Sequence, residues 1–297
     1  MREDIEFATE DGTTLRGWFT RPDGDAPHPT VVMAHGFSAV KEQTLEDLAD
    51  AGLASVTYDH RNLGASDGEP RQEIDPVHQV RDFRTAITYA QSRPDVDADR
   101  IGIFGSSYSG AHVLAVAALD RRVRAVVSQV PLISGFRNIE RLNTAEGFSG
   151  LLGALDAERA ARFGGASGDV LPVCSDDPAG VAAFPGRTTY DYFHHYVEKG
   201  LSPSWRNEVT LRSIDLALAY DVTPYLPRIA PTPLLMIITD DDTTTPTGLS
   251  LEAFATAREP KQLVVLPGHH YRVYLELFPQ TSKLAADFLR ARLAPAE

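Results

Sequence analysis

Short apolar runs and stretches of helical period take turns along this chain. Residues Ile5 to Glu10 and Thr14 to Arg21 alternate apolar and polar positions around Asp11-Gly12, the pattern of a β-hairpin. Thr30-Val31-Val32-Met33-Ala34 and Ala54-Ser55-Val56-Thr57-Tyr58 are runs fit for interior strands, and Leu45, Leu48 and Ala49 between them predict a short amphipathic helix. Asp75-Pro76 opens the clearest helix. Asp75 is a capping residue, Pro76 suits a first turn, and Val77, Val80, Ile87 and Ala90 recur at helical spacing until Arg93-Pro94 stops them.

A strand over Ile101 to Gly105 follows, then an apolar helix over Ala111 to Leu119 and a strand from Arg124 to Val130. Two late strands, Leu234 to Thr239 and Gln262 to Leu266, flank a helix from Thr247 to Ala257, and a last helix runs from about Thr281 to Leu293. Strands alternating with helices mean a mostly parallel sheet, here of eight strands, covered by helices on both faces: an α/β fold. About a hundred residues from Leu132 to Thr232 interrupt the rhythm between strands that should be sheet neighbours. A structureless loop of that length is foreign to a compact domain. Leu151, Leu152 and Leu155, the run Tyr190 to Tyr196, and Leu211, Ile214 and Leu218 all carry helical signals. The expected organisation is a core of residues 1–131 and 233–297 with residues 132–232 inserted as a helical cap over the C-terminal edge of the sheet.

Composition narrows the partners. The 297 residues are 43% hydrophobic and 23% charged, as in a soluble globular protein with a full-sized core. A net charge of −13 argues against nucleic acid or an anionic membrane as partner. The charged start Met1-Arg2-Glu3-Asp4 lacks the apolar stretch of a signal peptide, and the longest apolar run falls far short of a membrane span. Cys174 is the sole cysteine, so no intrachain disulfide forms. The expectation is a cytosolic protein that uses neither metal nor cofactor and acts on a small molecule. A homodimer is compatible with the sequence.

The chemistry concentrates at Ile101-Gly102-Ile103-Phe104-Gly105-Ser106-Ser107-Tyr108-Ser109-Gly110. A serine on a strand-to-helix corner is held in a strained turn with its hydroxyl above the sheet, the nucleophile elbow. That corner demands small residues two before and two after the nucleophile. Gly105 and Ser109 satisfy this around Ser107, whereas Phe104 and Tyr108 exclude Ser106, and Ser109 itself should already be helical. A serine hydroxyl needs a base, and the base an orienting group. In this fold the order is serine, acid, histidine. Of nine histidines, His28, His35, His60, His78 and His112 precede or adjoin the elbow, and His194 and His195 sit in the aromatic helix of the insertion. His269 and His270, after the last strand, remain. Asp240-Asp241-Asp242 ends the preceding strand, and spacing alone leaves all three open as the acid. Attack creates an oxyanion. Its donors are expected to be the N–H groups of Tyr108, after the nucleophile, and of Phe37, after the strand ending at His35-Gly36.

Together these pieces resemble the α/β-hydrolase superfamily over nearly the whole chain outside the insertion. More narrowly, the chain is similar to the branch of dienelactone hydrolases and X-Pro dipeptidyl-peptidases (cocaine-esterase-like). That branch writes its elbow Gly-x-Ser-Tyr-x-Gly, matched by Gly105, Ser107, Tyr108 and Gly110. Tyr58 to Gly68 is similar to the family's Asp-x-Arg-Gly-x-Gly-x-Ser-x-Gly loop, with Asn62 at the usual glycine. The resemblance implies Asp242, four residues before Pro246, as the acid. It implies His270 as the base, because Gly268-His269-His270-Tyr271 matches a Gly-Gly-His-Phe-like turn with His269 replacing a glycine.

The expected function is a serine hydrolase that forms an acyl-enzyme with a small carboxylic ester, thioester or lactone. A carbon–carbon bond hydrolase or an aminopeptidase would use the same triad. The peptidase also needs a carboxylate in the cap to grip a free amine, for which Asp191, Glu198 and Glu208 are available. A non-catalytic ligand-binding protein of this fold is the remaining alternative. Tyr192, Phe193 and Tyr196 are the candidate substrate-binding residues, with Tyr190 and Trp205 as further aromatics of the insertion.

Overall fold

The computed structural model describes residues 1–43 and 48–295. The first half builds the framework: β1 (Arg2–Ala8), β2 (Thr14–Thr20), β3 (His28–Ala34), β4 (Ala54–Tyr58), α1 (Pro76–Ser92), β5 (Val96–Ser106), α2 (Tyr108–Leu119) and β6 (Val123–Gln129). The intervening segment holds α3 (Gly135–Arg141), α4 (Ala145–Phe163), β7 (Val170–Leu171), β8 (Cys174–Ser175), β9 (Phe184–Pro185), α5 (Arg187–Glu198), β10 (Val209–Thr210), α6 (Leu211–Leu218) and α7 (Leu226–Ile229). The chain then returns through β11 (Leu234–Thr239), α8 (Thr247–Thr256), β12 (Lys261–Leu266) and α9 (Phe278–Arg292).

Among the described residues, eight strands form one sheet in the order β1-β2-β4-β3-β5-β6-β11-β12. The β1–β2 and β2–β4 pairs are antiparallel and the rest parallel. Burial explains the strand compositions. Every residue of β4 and β11 is buried, which is why both read as unbroken apolar runs. Beside the edge strand β1, β2 buries only alternate residues and keeps its period of two. One apolar core joins this sheet to α1 and α2. A second lies on the other face, where Phe288, Leu289 and Leu293 of α9 and the loop after it cover Val31, Met33, Phe104 and Val127.

The helix α1 starts as its capping signal predicts: Asp75 accepts from the N–H groups of Val77 and His78, worth about 1 kcal/mol. Val77 departs from expectation. It is 54% exposed, so the buried stripe runs instead through Pro76, Phe83, Ile87 and Ala90. Of the short helix expected at Leu45, Leu48 and Ala49, Leu45 lies outside the described residues and Ala49–Ala51 form a single 3-10 turn. Between β6 and β11, the helices α4, α5 and α6 occupy the three stretches with helical signals. Two short ladders, β7 with β10 and β8 with β9, tie that segment together. No helix among the described residues is long and apolar enough to cross a membrane.

Candidate active site

The corner between β5 and α2 holds Ser107 at φ 55° and ψ −113°, outside the regions open to an L-residue without strain. Such a residue costs about 1–3 kcal/mol and persists only where its surroundings over-determine it. Here they do. The Ser107 N–H donates to the Gln129 carbonyl at 2.8 Å, and the Ser107 carbonyl accepts from Leu132 at 3.0 Å. Packing is equally tight: a Cβ on Gly105 would lie 2.0 Å from the Ser109 carbonyl oxygen. The three serines of the turn have different fates. Ser106 Oγ is buried within 2.5 Å of Tyr274 Oη and accepts from Gln129 Nε2 at 3.2 Å. Ser109 Oγ is buried 2.9 Å from His60 Nε2. Of the three, Ser107 alone is partly open, and it faces His270.

The position expected for the base holds His270, at the start of a 3-10 turn (His270–Tyr274) after β12. Its Nε2 is 3.1 Å from Ser107 Oγ, and its Nδ1 is 2.7 Å from Asp242 Oδ2. With a carboxylate at Nδ1 the proton belongs there, which leaves Nε2 free to accept from the serine. The Asp240-Asp241-Asp242 turn separates cleanly. Asp240 is exposed and binds the Gly268 N–H, Asp241 is exposed, and Asp242 is buried. Asp242 Oδ1 accepts from the Thr244 and Thr245 N–H groups at 2.9 and 2.7 Å, bonds that fix the carboxylate's orientation. His269 instead caps the turn, its Nδ1 accepting from the Tyr271 N–H.

The expected oxyanion donors lie beside the serine. Tyr108 is the first residue of α2, so the helix makes no use of its N–H. Phe37 follows Gly36, where a Cβ would come within 3.0 Å of Ser107 Cβ, so glycine lets the loop approach this closely. The Phe37 and Tyr108 rings meet edge to face at 5.4 Å, joining the two donor loops. Below them the Asp59 loop braces the structure: Asp59 accepts from the backbone N–H of Lys41 and Ala65 and from Lys41 Nζ. Asn62, at the position where the related loop has glycine, takes φ 68°, a conformation asparagine tolerates.

Over Ser107 lies a small cavity of about 30 Å³, lined by Phe37, Phe184, Tyr192, Phe193, Tyr271 and Tyr274 among others. Of the candidate substrate-binding residues, Tyr192 and Phe193 face this cavity, while Tyr196 lines a neighbouring one. Tyr190 stacks on His194 and Trp205 stacks on Phe193, away from the serine. Sequence reasoning missed two contributors. Thr245 places its hydroxyl 3.0 Å from Asp242 Oδ2 and from the Val130 carbonyl, and 3.1 Å from His270 Nδ1. Tyr274 is the other, and its only sequence signal is its place four residues after the base.

Behind the elbow, His35, His60 and His112 are buried side by side, with ring centroids 5.2 and 5.6 Å apart along the row. Burial first, then the neighbouring His35, lowers the His112 pKa from 6.5 to about 3, and burial holds His60 well below its usual range. The unfolded chain therefore binds more protons than the folded one below pH 6.5, and stability falls as pH drops from there toward 3. His112 alone contributes a slope of up to about 1.4 kcal/mol per pH unit. Thermal midpoints measured from pH 7 to 5 are expected to fall in the wild type and to fall less steeply in His112→Gln. Equal slopes would contradict this assignment.

A serine, histidine and aspartate converge in this way at the C-terminal edge of a sheet ordered 1-2-4-3-5-6 and onward. The model of the X-Pro dipeptidyl-peptidase family (S15 family) matches residues 11–272. The chain belongs to this family. It is 31% identical over 271 residues to the polyketide transferase grgF of a Penicillium species, covering 90% of this chain and 88% of that one. The thiohydrolase aneE of Aspergillus aculeatus is 32% identical over 270 residues, covering 88% of this chain and 83% of that one. The crystal structure of the α/β hydrolase GrgF from Penicillium superposes with a TM-score of 0.84 at 29% identity, covering 99% of this chain and all of that chain. The protein is thus a hydrolase-class enzyme with the α/β-hydrolase fold.

Proposed function

We propose that this hydrolase cleaves a small carboxylic ester, thioester or lactone through an acyl-enzyme on Ser107. The observation that carries the reading is the unbroken line from Ser107 Oγ through His270 to Asp242, with spacings of 3.1 and 2.7 Å, beneath an apolar cavity. Ser107 Oγ attacks the substrate carbonyl carbon while its proton passes to His270 Nε2. The N–H groups of Phe37 and Tyr108 bind the oxyanion. Collapse breaks the bond to the leaving alcohol or thiol, which takes the proton from His270. Water then attacks the acyl carbon, giving a proton to His270, and the second collapse returns that proton to Ser107 and releases the carboxylic acid. Asp242 holds His270 in the required tautomer and stabilises its charged form, with Thr245 fixing the junction.

The peptidase reading has less support. No carboxylate lines the cavity among the described residues, while Asp191, Glu198 and Glu208 are exposed and Asp191 pairs with Arg187 at 2.7 Å. Relatives named thiohydrolases favour a thioester among the three bond types. Relatives named polyketide transferases favour a second reading, in which the acyl group passes to an alcohol or amine rather than to water. The deciding experiment compares kcat/KM for acyl esters, acyl thioesters, lactones and aminoacyl amides, with product analysis in the presence of an added alcohol. Turnover of esters or thioesters to free acid is the expected result. Exclusive cleavage of aminoacyl amides would overturn the reading.

A further inference from the structure

A second cavity of about 20 Å³ lies beside the one over Ser107, and Tyr274 lines both. Its apolar wall is Met33, Leu48, Phe104, Phe278 and Ala285, where β3 and β5 meet α9. Each cavity alone is too small for an extended acyl chain. The Tyr274 ring separates them, and its hydroxyl reaches Ser106, the residue before the nucleophile. Tyr274 is also the last residue of the 3-10 turn that begins at His270, so base and partition move as one piece of chain. Tyr192 faces the first cavity and Tyr196 the second, one turn of α5 apart, so a single helix covers both.

The second cavity carries a polar mark. Gln43 is 1% exposed and lines it. Its Oε1 accepts from the Val40 N–H at 3.0 Å, and its carbonyl accepts from Tyr192 Oη at 3.2 Å. Its Nε2 has no hydrogen-bond partner among the described residues. A buried amide donor left without an acceptor is costly, and native proteins seldom keep one. Gln129, Thr281 and Ser282 also line this pocket, yet none of them bonds Gln43 Nε2, so an oxygen carried by a ligand is the acceptor that fits.

Resting on the acyl-enzyme reading above, we propose that the cavity behind Tyr274 is the distal acyl subsite. A turn of the Tyr274 ring joins the two spaces, and a linear acyl chain bound at Ser107 runs between them against Met33, Phe104 and Phe278. A carbonyl or hydroxyl oxygen on that chain accepts from Gln43 Nε2. The preferred substrate class is therefore the ester or thioester of an oxygenated, extended acyl group, and Tyr274 and Gln43 set specificity without taking part in bond breaking.

The test measures kcat/KM for a series of thioesters from acetyl to decanoyl, together with keto- or hydroxy-substituted acyl groups of matched length. The variants are Tyr274→Ala, Ala285→Leu and Gln43→Leu, with Ser282→Phe as a second way to fill the cavity should Ala285→Leu fail to fold. Filling the cavity should lower the ratio of long-chain to acetyl kcat/KM at least tenfold, and Tyr274→Ala should raise it. Gln43→Leu should lower the ratio of oxygenated to plain acyl kcat/KM about tenfold, the scale of one neutral hydrogen bond. Unchanged length profiles in the filled variants, or equal loss for oxygenated and plain chains in Gln43→Leu, would overturn the inference and leave the acyl-enzyme reading standing. Absence of turnover on every member of the series in wild type would remove both.

Discussion

Replacing Ser107 with alanine is expected to reduce turnover on the best ester or thioester by about 10⁵–10⁶-fold, the scale seen when a triad nucleophile is removed. The fold should survive, because the bonds that hold the elbow come from the backbone of residue 107 and not from its hydroxyl. Alanine at φ 55° carries the same kind of strain that serine already bears, so the thermal midpoint should change little. Neither neighbouring serine can substitute. Ser106 Oγ is engaged with Tyr274 and Gln129, and Ser109 Oγ with His60, both out of contact with the base. Activity retained in Ser107→Ala within tenfold of wild type would remove the serine from the chemistry.

The second large effect separates two adjacent histidines. His270→Ala is expected to lose nearly as much as Ser107→Ala, because members of a triad act as a unit and their losses do not add. His269→Ala should retain activity within about tenfold, since its ring only accepts from the Tyr271 N–H and shapes the turn. The double variant Ser107→Ala, His270→Ala should be no slower than either single variant. Steady-state rates for the four proteins check this. An inactive His269→Ala beside an active His270→Ala would shift the assignment by one residue.

The parts of the fold that were legible in the sequence are those where burial leaves a periodic trace. The bounds of β4 and β11 coincide with the apolar runs because both strands are covered on two faces. The start of α1 coincides with Asp75-Pro76 because capping is local chemistry. The segment between β6 and β11 was legible only where helices were long enough to show a period. The two-residue strands β7 to β10 pair across stretches of sequence that carry no alternation, and α3 and α7 are too short for one.

Within the site, the elbow serine followed from sterics, while the choice among three aspartates did not. What separates Asp242 from Asp240 and Asp241 is a turn in which the Thr244 and Thr245 N–H groups point back at one carboxylate, a backbone property invisible to spacing. Tyr274 and Gln43 were out of reach for a similar reason. Each lies in a short turn whose side-chain direction is decided by tertiary packing, and only the fold brings Gln43 and Tyr274 to the same cavity.

The central claim is that Ser107 is the covalent nucleophile, and one measurement reaches it most directly. The wild-type protein is treated with a fluorophosphonate, digested, and analysed by peptide mass spectrometry. A single phosphonyl adduct on Ser107, absent in His270→Ala under the same conditions, is the predicted result. A wild type that takes up no adduct, or one labelled on Ser106, Ser109 or another residue with Ser107 unmodified, would contradict it.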